Sequence, residues 1–217
     1  MAPTPTTMTL TDEQQTAVDR FSAGENMFIT GPGGTGKSMF IREIVRLAKE
    51  SNKTIQVCAM TGCAAVLLEC GAKTVHSWSG LGLASGPDIE EMAEKVADSY
   101  HKRGNWMMTN ILVVDEVSMM SKKMFELLEL TARLCRRRNI PKVFGGMQVV
   151  FCGDFYQLPP VGDRDDDDTA KFCFESDMFD NVFDTKIEFT KSFRQAGDLV
   201  YTKILNQIRV GRLTKSS

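Results

Sequence analysis

Two runs in this chain bring together residue types that handle phosphate, and a third raises a question about them. Gly31-Pro32-Gly33-Gly34-Thr35-Gly36-Lys37-Ser38 has the spacing of a phosphate-binding loop, in which backbone N–H groups and a helix N-terminus face the anion. Lys37 would bring a point charge to β- and γ-phosphates, and Ser38 a hydroxyl to Mg²⁺. "ILVVDEVSM" adds Asp115 for the metal's water shell and Glu116 to orient or deprotonate an attacking water. "VVFCGDFYQLPPV" sets Gln157 on a turn stiffened by Pro159 and Pro160, directly after an apolar segment. Why a lone amide needs so stiff a mount is the question.

Each run has a plainer reading: a glycine turn, a pair of acids capping the next helix, a solvated turn residue. Context weighs against the first two. The glycine loop stands between an apolar strand and an amphipathic helix, and "ILVV" is too apolar to lead into a surface turn. Alone, the two phosphate sites imply ATP or GTP hydrolysis, a property that kinases, GTPases, transporters and motors share.

The elements that must present these residues follow from apolar spacing. Helices are predicted near 11–22 and over 37–50, 62–70, 89–101, 121–138 and 198–209, as with Ile41, Ile44, Val45 and Ala48 at helical intervals. Strands are predicted over 26–30, 54–60, 111–115, 147–152 and 187–190. Because they are continuous apolar runs, both faces are covered, which means an α/β fold with a mainly parallel sheet and helices on either side. Residues 1–9, rich in Thr and Pro, read as a loose tail, and 10–217 as one domain.

Composition narrows the class. The chain is 42% hydrophobic and 25% charged with a net charge of −2, so any nucleic-acid contact must be local and not a matter of bulk charge. No run approaches the roughly 18 apolar residues of a membrane span, and the first ten residues carry neither secretory nor transit features, so either an intracellular setting or a chain whose targeting segment has been removed is expected. The six cysteines lack paired C-x-x-C spacing and a nearby histidine, and read as reduced, buried hydrophobes.

In order, "LTDEQ", "GPGGTGKS", "TGCAA", "TVHSWSGLGL", "DEVSMM", "GDFYQLPPV", "SFRQ" and "ILNQIRVGR" resemble the Pif (petite integration frequency) family of superfamily 1B DNA helicases, over about residues 10 to 212. The resemblance implies a RecA-like P-loop fold serving as a first motor domain, with ATP and Mg²⁺ as cofactors. It also implies 5′-to-3′ movement on single-stranded DNA, opening of forked duplexes, and genome maintenance in nucleus or mitochondrion. It casts Gln157 as a γ-phosphate sensor near the DNA, Arg194 as an arginine reaching the γ-phosphate from the far side of the sheet, and Gln14 as an adenine reader. Thr61, Gly62, His76, Ser77 and Trp78 fall in segments that contact single-stranded DNA in that family.

Alternatives stand beside these roles. Thr11-x-x-Gln14 is also a helix capping box, Arg194 suits a surface ion pair, Trp78 suits the core, and His76 suits a loop brace. Arg209 matches a family position but sits on an amphipathic helix where solvation accounts for it. "RLCRRRN" at 133–139 places cations at a helix C-terminus, and "DRDDDD" at 163–168 reads as a solvated loop that repels DNA. Gly33 departs from the family's usual alanine, which should leave the loop working but looser. The family carries a second RecA-like domain that nothing after Arg212 encodes, so slow turnover and no strand separation are expected of this chain alone. Two other functions remain: a non-catalytic module that binds nucleotide and single-stranded DNA, and a P-loop enzyme of another class.

Overall fold

In the computed structural model, which describes residues 10–82, 88–137, 141–193, 204–205 and 207–212, the apolar runs become strands of one sheet. They are β1 (Met27–Thr30), β2 (Ile55–Ala59), β3 (Lys73–Thr74), β4 (Ile111–Asp115), β5 (Gln148–Gly153) and β6 (Thr185–Glu188). The order is β3-β2-β4-β5-β1-β6, and every neighbouring pair is parallel. Alternate side chains enter two separate cores. Phe28, Cys58, Leu112, Val114, Val149 and Phe151 face one way; Met27, Ile29, Val57, Ala59, Ile111, Val113, Val150 and Cys152 face the other. Along β1, β4 and β5 both faces are buried and polarity does not alternate, as the sequence pattern predicted, whereas the edge strand β6 alternates half-buried with exposed residues.

Three helices, α1 (Asp12–Ser22), α2 (Lys37–Glu50) and α3 (Gly62–Leu67), pack on the second face. The first face is covered by α4 (Val75–Ser79), α5 (Ile89–Asp98), α6 (Tyr100–Met108), α7 (Lys122–Cys135) and α8 (Phe179–Val182). Aromatic rings bind that layer together: Phe151 lies 5.0 Å from Phe183 and 5.9 Å from Phe125, centroid to centroid.

Helix α2 has the predicted bounds, but other elements differ for identifiable reasons. The helix expected over 89–101 is two helices with an extended residue, Ser99, between them. The break turns α6 so that Trp106, fully buried, donates its indole N–H to the Ser79 carbonyl (3.0 Å) and packs 4.6 Å from Trp78. The helix expected over 62–70 ends at Leu67, and Glu69 follows at φ +54°. Strand β6 lies two residues earlier than predicted. The short elements β3, α4 and α8 offer too few residues for a period to register. Residues 1–9, 138–140 and 194–203 lie outside the described residues, and of the helix expected over 198–209 only 204–205 and 207–209 are described, as helix.

The two charge runs also have structural roles. Arg133 pairs with Glu129 (2.9 Å) and Arg137 with Asp98 (3.0 Å), while Arg136 donates to the carbonyls of Gly145 (3.0 Å), Trp106 (2.8 Å) and Thr109 (2.7 Å). The acidic run is not simply solvated. Lys123 pairs with Asp166, and Asp168 with both Lys122 (3.3 Å) and Lys171 (2.8 Å). Two lysines in the first turn of α7 would oppose the helix dipole, and the acidic loop answers them. Among the described residues no helix is long and apolar enough to cross a membrane.

The arginines are expected to separate in stability measurements. Arg136→Met leaves three carbonyls without their donor and should cost about 3 kcal/mol in urea unfolding. Arg137→Ala, which breaks an exposed pair, should cost under about 1 kcal/mol.

Candidate nucleotide site

Parallel strands end on one edge of the sheet, and β1, β4 and β5 deliver their following turns there side by side. Thr30 at the end of β1 is in register with Gly153 at the end of β5, so the phosphate loop and the Gln157 turn start as neighbours. Gly36 caps α2 with φ +89°, and a Cβ there would meet Gln14 Nε2 at 2.3 Å, so only glycine fits. Gly33 differs: a Cβ would touch nothing within 4 Å. Pro32 and Gly34 are half-buried, Thr35 is buried and donates to the Pro32 carbonyl (2.9 Å), and Ser38 is exposed in the first turn of α2. Lys37 folds back on its own loop, donating to the carbonyls of Gly31 (2.5 Å) and Pro32 (3.0 Å). Burial lowers its pKa, and the charges of Asp154, Asp115 and Glu116 work against that.

Asp115 ends β4 at 6% exposure. Burial first, and the neighbouring Glu116 second, raise its pKa to about 6, although the Glu116 N–H donates to Oδ1 (2.9 Å). It makes no direct ion pair among the described residues; Lys37 acts on it only at a distance. Glu116 sits at φ +59°, ψ 38°, a costly backbone for a side chain of its size. Gly153 explains how the two turns fit, since a Cβ there would meet Val117 Cγ2 at 2.9 Å and Val117 N at 3.0 Å. Cys152 is fully buried beneath these charges, and burial pushes its thiol pKa well up, so it stays a protonated hydrophobe.

Gln157 is exposed, and its mounting is now visible. Its N–H donates to the Asp154 carbonyl (2.8 Å), and its side-chain amide lies 3.4 Å from Asp154 Oδ2. Asp154, 1% exposed, is held by a two-pronged pair with Arg209, Nε to Oδ2 at 2.9 Å and Nη2 to Oδ1 at 2.8 Å. Sequence reasoning gave Asp154 no role and explained Arg209 by solvation. The only available signal was an acid near the glutamine and an arginine in "IRVGR", 55 positions apart.

Of the two readings of Gln14, the capping box is present: the Thr11 N–H donates to Gln14 Oε1 (3.1 Å) and the Gln14 N–H to Thr11 Oγ1 (3.2 Å). Its Nε2 donates to the Thr35 carbonyl (3.3 Å), and the residue is fully buried. Gln14 thus braces the phosphate loop from beneath and presents no surface to a base. Beyond β6 the chain runs along the same loop. Thr190 is bonded to Glu13, and the Phe193 N–H donates to the Gly34 carbonyl (2.9 Å). Arg194 lies outside the described residues.

The DNA candidates divide. Trp78 is 2% exposed and packs on Trp106, so it is a core residue and not a stacking platform for a base. An aromatic in a short apolar segment fits either role in sequence, and the partner that decides it lies 28 residues away. Thr61 spends its hydroxyl capping α3, while Gly62 and Ser77 are exposed. His76 is half-buried, which lowers its pKa, and it lines a cleft of about 600 Å³ with Met60, Ser121, Pro160, Val161 and Arg164. The cleft therefore joins the His76 segment to the loop that follows Gln157.

The donor set fits a magnesium nucleotide. Among the described residues no three His, Cys, Asp or Glu side chains form a protein-only metal cage. Mg²⁺ in such sites is instead shared between one carboxylate, water and substrate phosphates, and Asp115 offers that carboxylate. Among the described residues, two buried hydroxyls, Ser118 Oγ and Ser192 Oγ, lack a partner; they lie in the segments that follow Glu116 and precede Phe193.

Comparison with known proteins gives a consistent result. The profile of the PIF1-like helicase family matches residues 9–216. The chain is similar to ATP-dependent DNA helicase RRM3 of Saccharomyces cerevisiae, 39% identical over 208 residues that cover 94% of this chain and 28% of the relative. It is also similar to ATP-dependent DNA helicase PIF1 of Homo sapiens, 35% identical over 94% of this chain and 30% of the relative. Among solved structures, Pif1 helicase from Candida albicans superposes with a TM-score of 0.85 at 34% identity, covering 96% of this chain and 46% of the other. A Bacteroides Pif1 complex with ADP-AlF3 and single-stranded DNA does so with a TM-score of 0.81 at 29% identity, covering 96% and 48%. The chain thus spans under a third of these curated relatives and about half of the solved chains.

Two outcomes are expected of the site residues. The folded Asp115 takes up its proton near pH 6, whereas an unfolded one does so near 4, so its burial penalises the folded state above pH 6 and is relieved as pH falls toward 4. The stability of Asp115→Asn relative to the parent, from nucleotide-free urea melts, should therefore rise by about 3 kcal/mol between pH 4 and pH 7. Trp78→Ala should lower stability by about 3–5 kcal/mol, as removal of a core aromatic does; a loss near zero would restore the base-stacking role.

Proposed function

Because the chain belongs to the PIF1-like helicase family, we propose that residues 10–212 form the first RecA-like motor domain of an ATP-dependent 5′-to-3′ DNA helicase acting on single-stranded and forked DNA. The observation that carries this reading is the meeting of three turns on one sheet edge: the phosphate loop, Asp115-Glu116, and the Gln157 turn, which continues into the His76 cleft. Ligands of open α/β sheets bind at that edge.

The backbone N–H groups of Gly33 to Lys37 and the start of α2 hold the triphosphate, and Lys37 exchanges its two loop carbonyls for phosphate oxygens. Ser38 and Asp115 would hold Mg²⁺, which when bound neutralises charge between the β- and γ-phosphates. Glu116 orients the attacking water and accepts its proton, and its strained backbone fixes where the carboxylate points. Gln157 faces the terminal phosphate from the third turn, and we assign Arg194 the opposing cation. On the DNA face, Gly62 and Ser77 allow close approach to the strand's phosphates, with Thr61 and His76 beside them.

Stepping requires closure on a second RecA-like domain, which the greater length of the relatives supports. The setting we propose, genome maintenance in nucleus or mitochondrion, rests on the family alone. The 217-residue chain should bind Mg²⁺-ATP and hydrolyse it slowly, with stimulation by single-stranded DNA. Glu116→Gln should reduce turnover at least about 100-fold while leaving binding intact. Binding without turnover would favour a non-catalytic module, and indifference to DNA a P-loop enzyme of another class. Robust opening of a forked duplex by this chain alone would contradict the need for a second domain.

A further inference from the structure

Asp154 is a nearly inaccessible carboxylate at the mouth of a site built to receive anions. Three groups compete for it. Arg209 is in contact, with its Nε also 3.2 Å from Oδ1 and its guanidinium 4.4 Å from the centroid of the Tyr156 ring. The Gln157 amide is held weakly, at 3.4 Å. Lys37 senses the same charge from further off. The Tyr156 N–H completes the set at 3.2 Å from Oδ1. Burial works to raise the Asp154 pKa, and the Arg209 bonds with those of Tyr156 and Gln157 outweigh it, leaving the carboxylate ionised.

A buried carboxylate deprived of its counter-ion does not stay unpaired. The donors at hand would be Gln157, already leaning toward it, and Lys37, whose flexible stem is at present anchored only to loop carbonyls. Either capture removes a group that the triphosphate needs, and the freed negative charge would repel the γ-phosphate. Arg209 itself is 19% exposed and lies beyond β6 in a helical turn that is not part of the sheet.

We propose that Arg209 is a positioning residue that regulates the nucleotide site: engaged on Asp154 it keeps Lys37 and Gln157 available to ATP, and withdrawn it lets Asp154 sequester them. This rests on the nucleotide site proposed above. It makes the segment carrying Arg209 a lever on ATP affinity, working through the Asp154 carboxylate.

The test compares four versions of the 217-residue chain, the parent, Arg209→Gln, Asp154→Asn/Arg209→Gln and Arg209→Lys. It measures Mg²⁺-dependent affinity for a fluorescent ATP analogue and DNA-stimulated kcat. Arg209→Gln should weaken affinity at least about 10-fold, and adding Asp154→Asn should return it to within about threefold of the parent, because no charge is left to capture Lys37. Arg209→Lys keeps the charge but loses the fork and the ring contact, so affinity should hold while kcat falls about 10-fold. A double variant as weak as the single one, or a single variant as tight as the parent, overturns the proposal. Should Arg209→Gln fail to fold, Arg209→Lys decides: weakened affinity with unchanged kcat is the overturning result. A parent that binds the analogue but shows no DNA-stimulated turnover sinks the motor reading and leaves the affinity comparison standing.

Discussion

The site depends on β5 being hydrogen-bonded on one side to β1 and on the other to β4. Phe28 pairs with Phe151 and Thr30 with Gly153 across one ladder, and Val113 pairs with Val150 across the other. Because the strands are parallel and in this register, three turns distant in sequence emerge within reach of one another. A one-residue slip of β5 would move Phe151 from the aromatic core to the opposite face and Cys152 into its place. The Phe151 contacts with Phe125, Phe144 and Phe183 therefore fix the position of Asp154 and Gln157 as firmly as any bond at the site.

Among the described residues, Lys37 bonds to main-chain carbonyls and makes no ion pair, and Asp115, its pKa raised, has no direct cation. Such groups are costly in a folded chain, and they cluster where a charged ligand would relieve them. Asp154 is the exception, closed by Arg209. The contrast separates Lys37 and Asp115, which the proposed nucleotide would engage, from Asp154, which Arg209 already engages, although all three lie at one edge of the sheet, the two acids buried and Lys37 half-buried.

What the sequence made legible is what local spacing encodes. The glycine loop, the bounds of α2, the parallel nature of the sheet and the acid pair after β4 all follow from residues within a dozen positions of one another. Four features were not legible. The fate of Trp78 depended on Trp106, the end of α7 on Arg136 reaching Trp106 and Thr109, the acidic loop on Lys122 and Lys123, and the Gln157 turn on Arg209. In each case the deciding partner lies between 27 and 55 residues away, and nothing in either segment alone names the other. Gln14 is intermediate: its capping box was readable from four residues, whereas its bond to Thr35 required the fold.

The stiff mount of Gln157 now has a physical reason. An exposed amide on a free turn would sample many orientations, and each productive contact with a phosphate would carry the entropy of selecting one. Here the turn is restrained at both ends. Asp154 accepts from the Tyr156 and Gln157 main-chain N–H groups before the amide, and Pro159 and Pro160 restrict the backbone after it. The prolines alone would give a rigid loop with no preferred direction; the carboxylate alone would give a direction to a loop still able to swing. Together they hold the glutamine on the turn that runs from the end of β5 toward the His76 cleft, which is the restraint the proposed phosphate-sensing role requires.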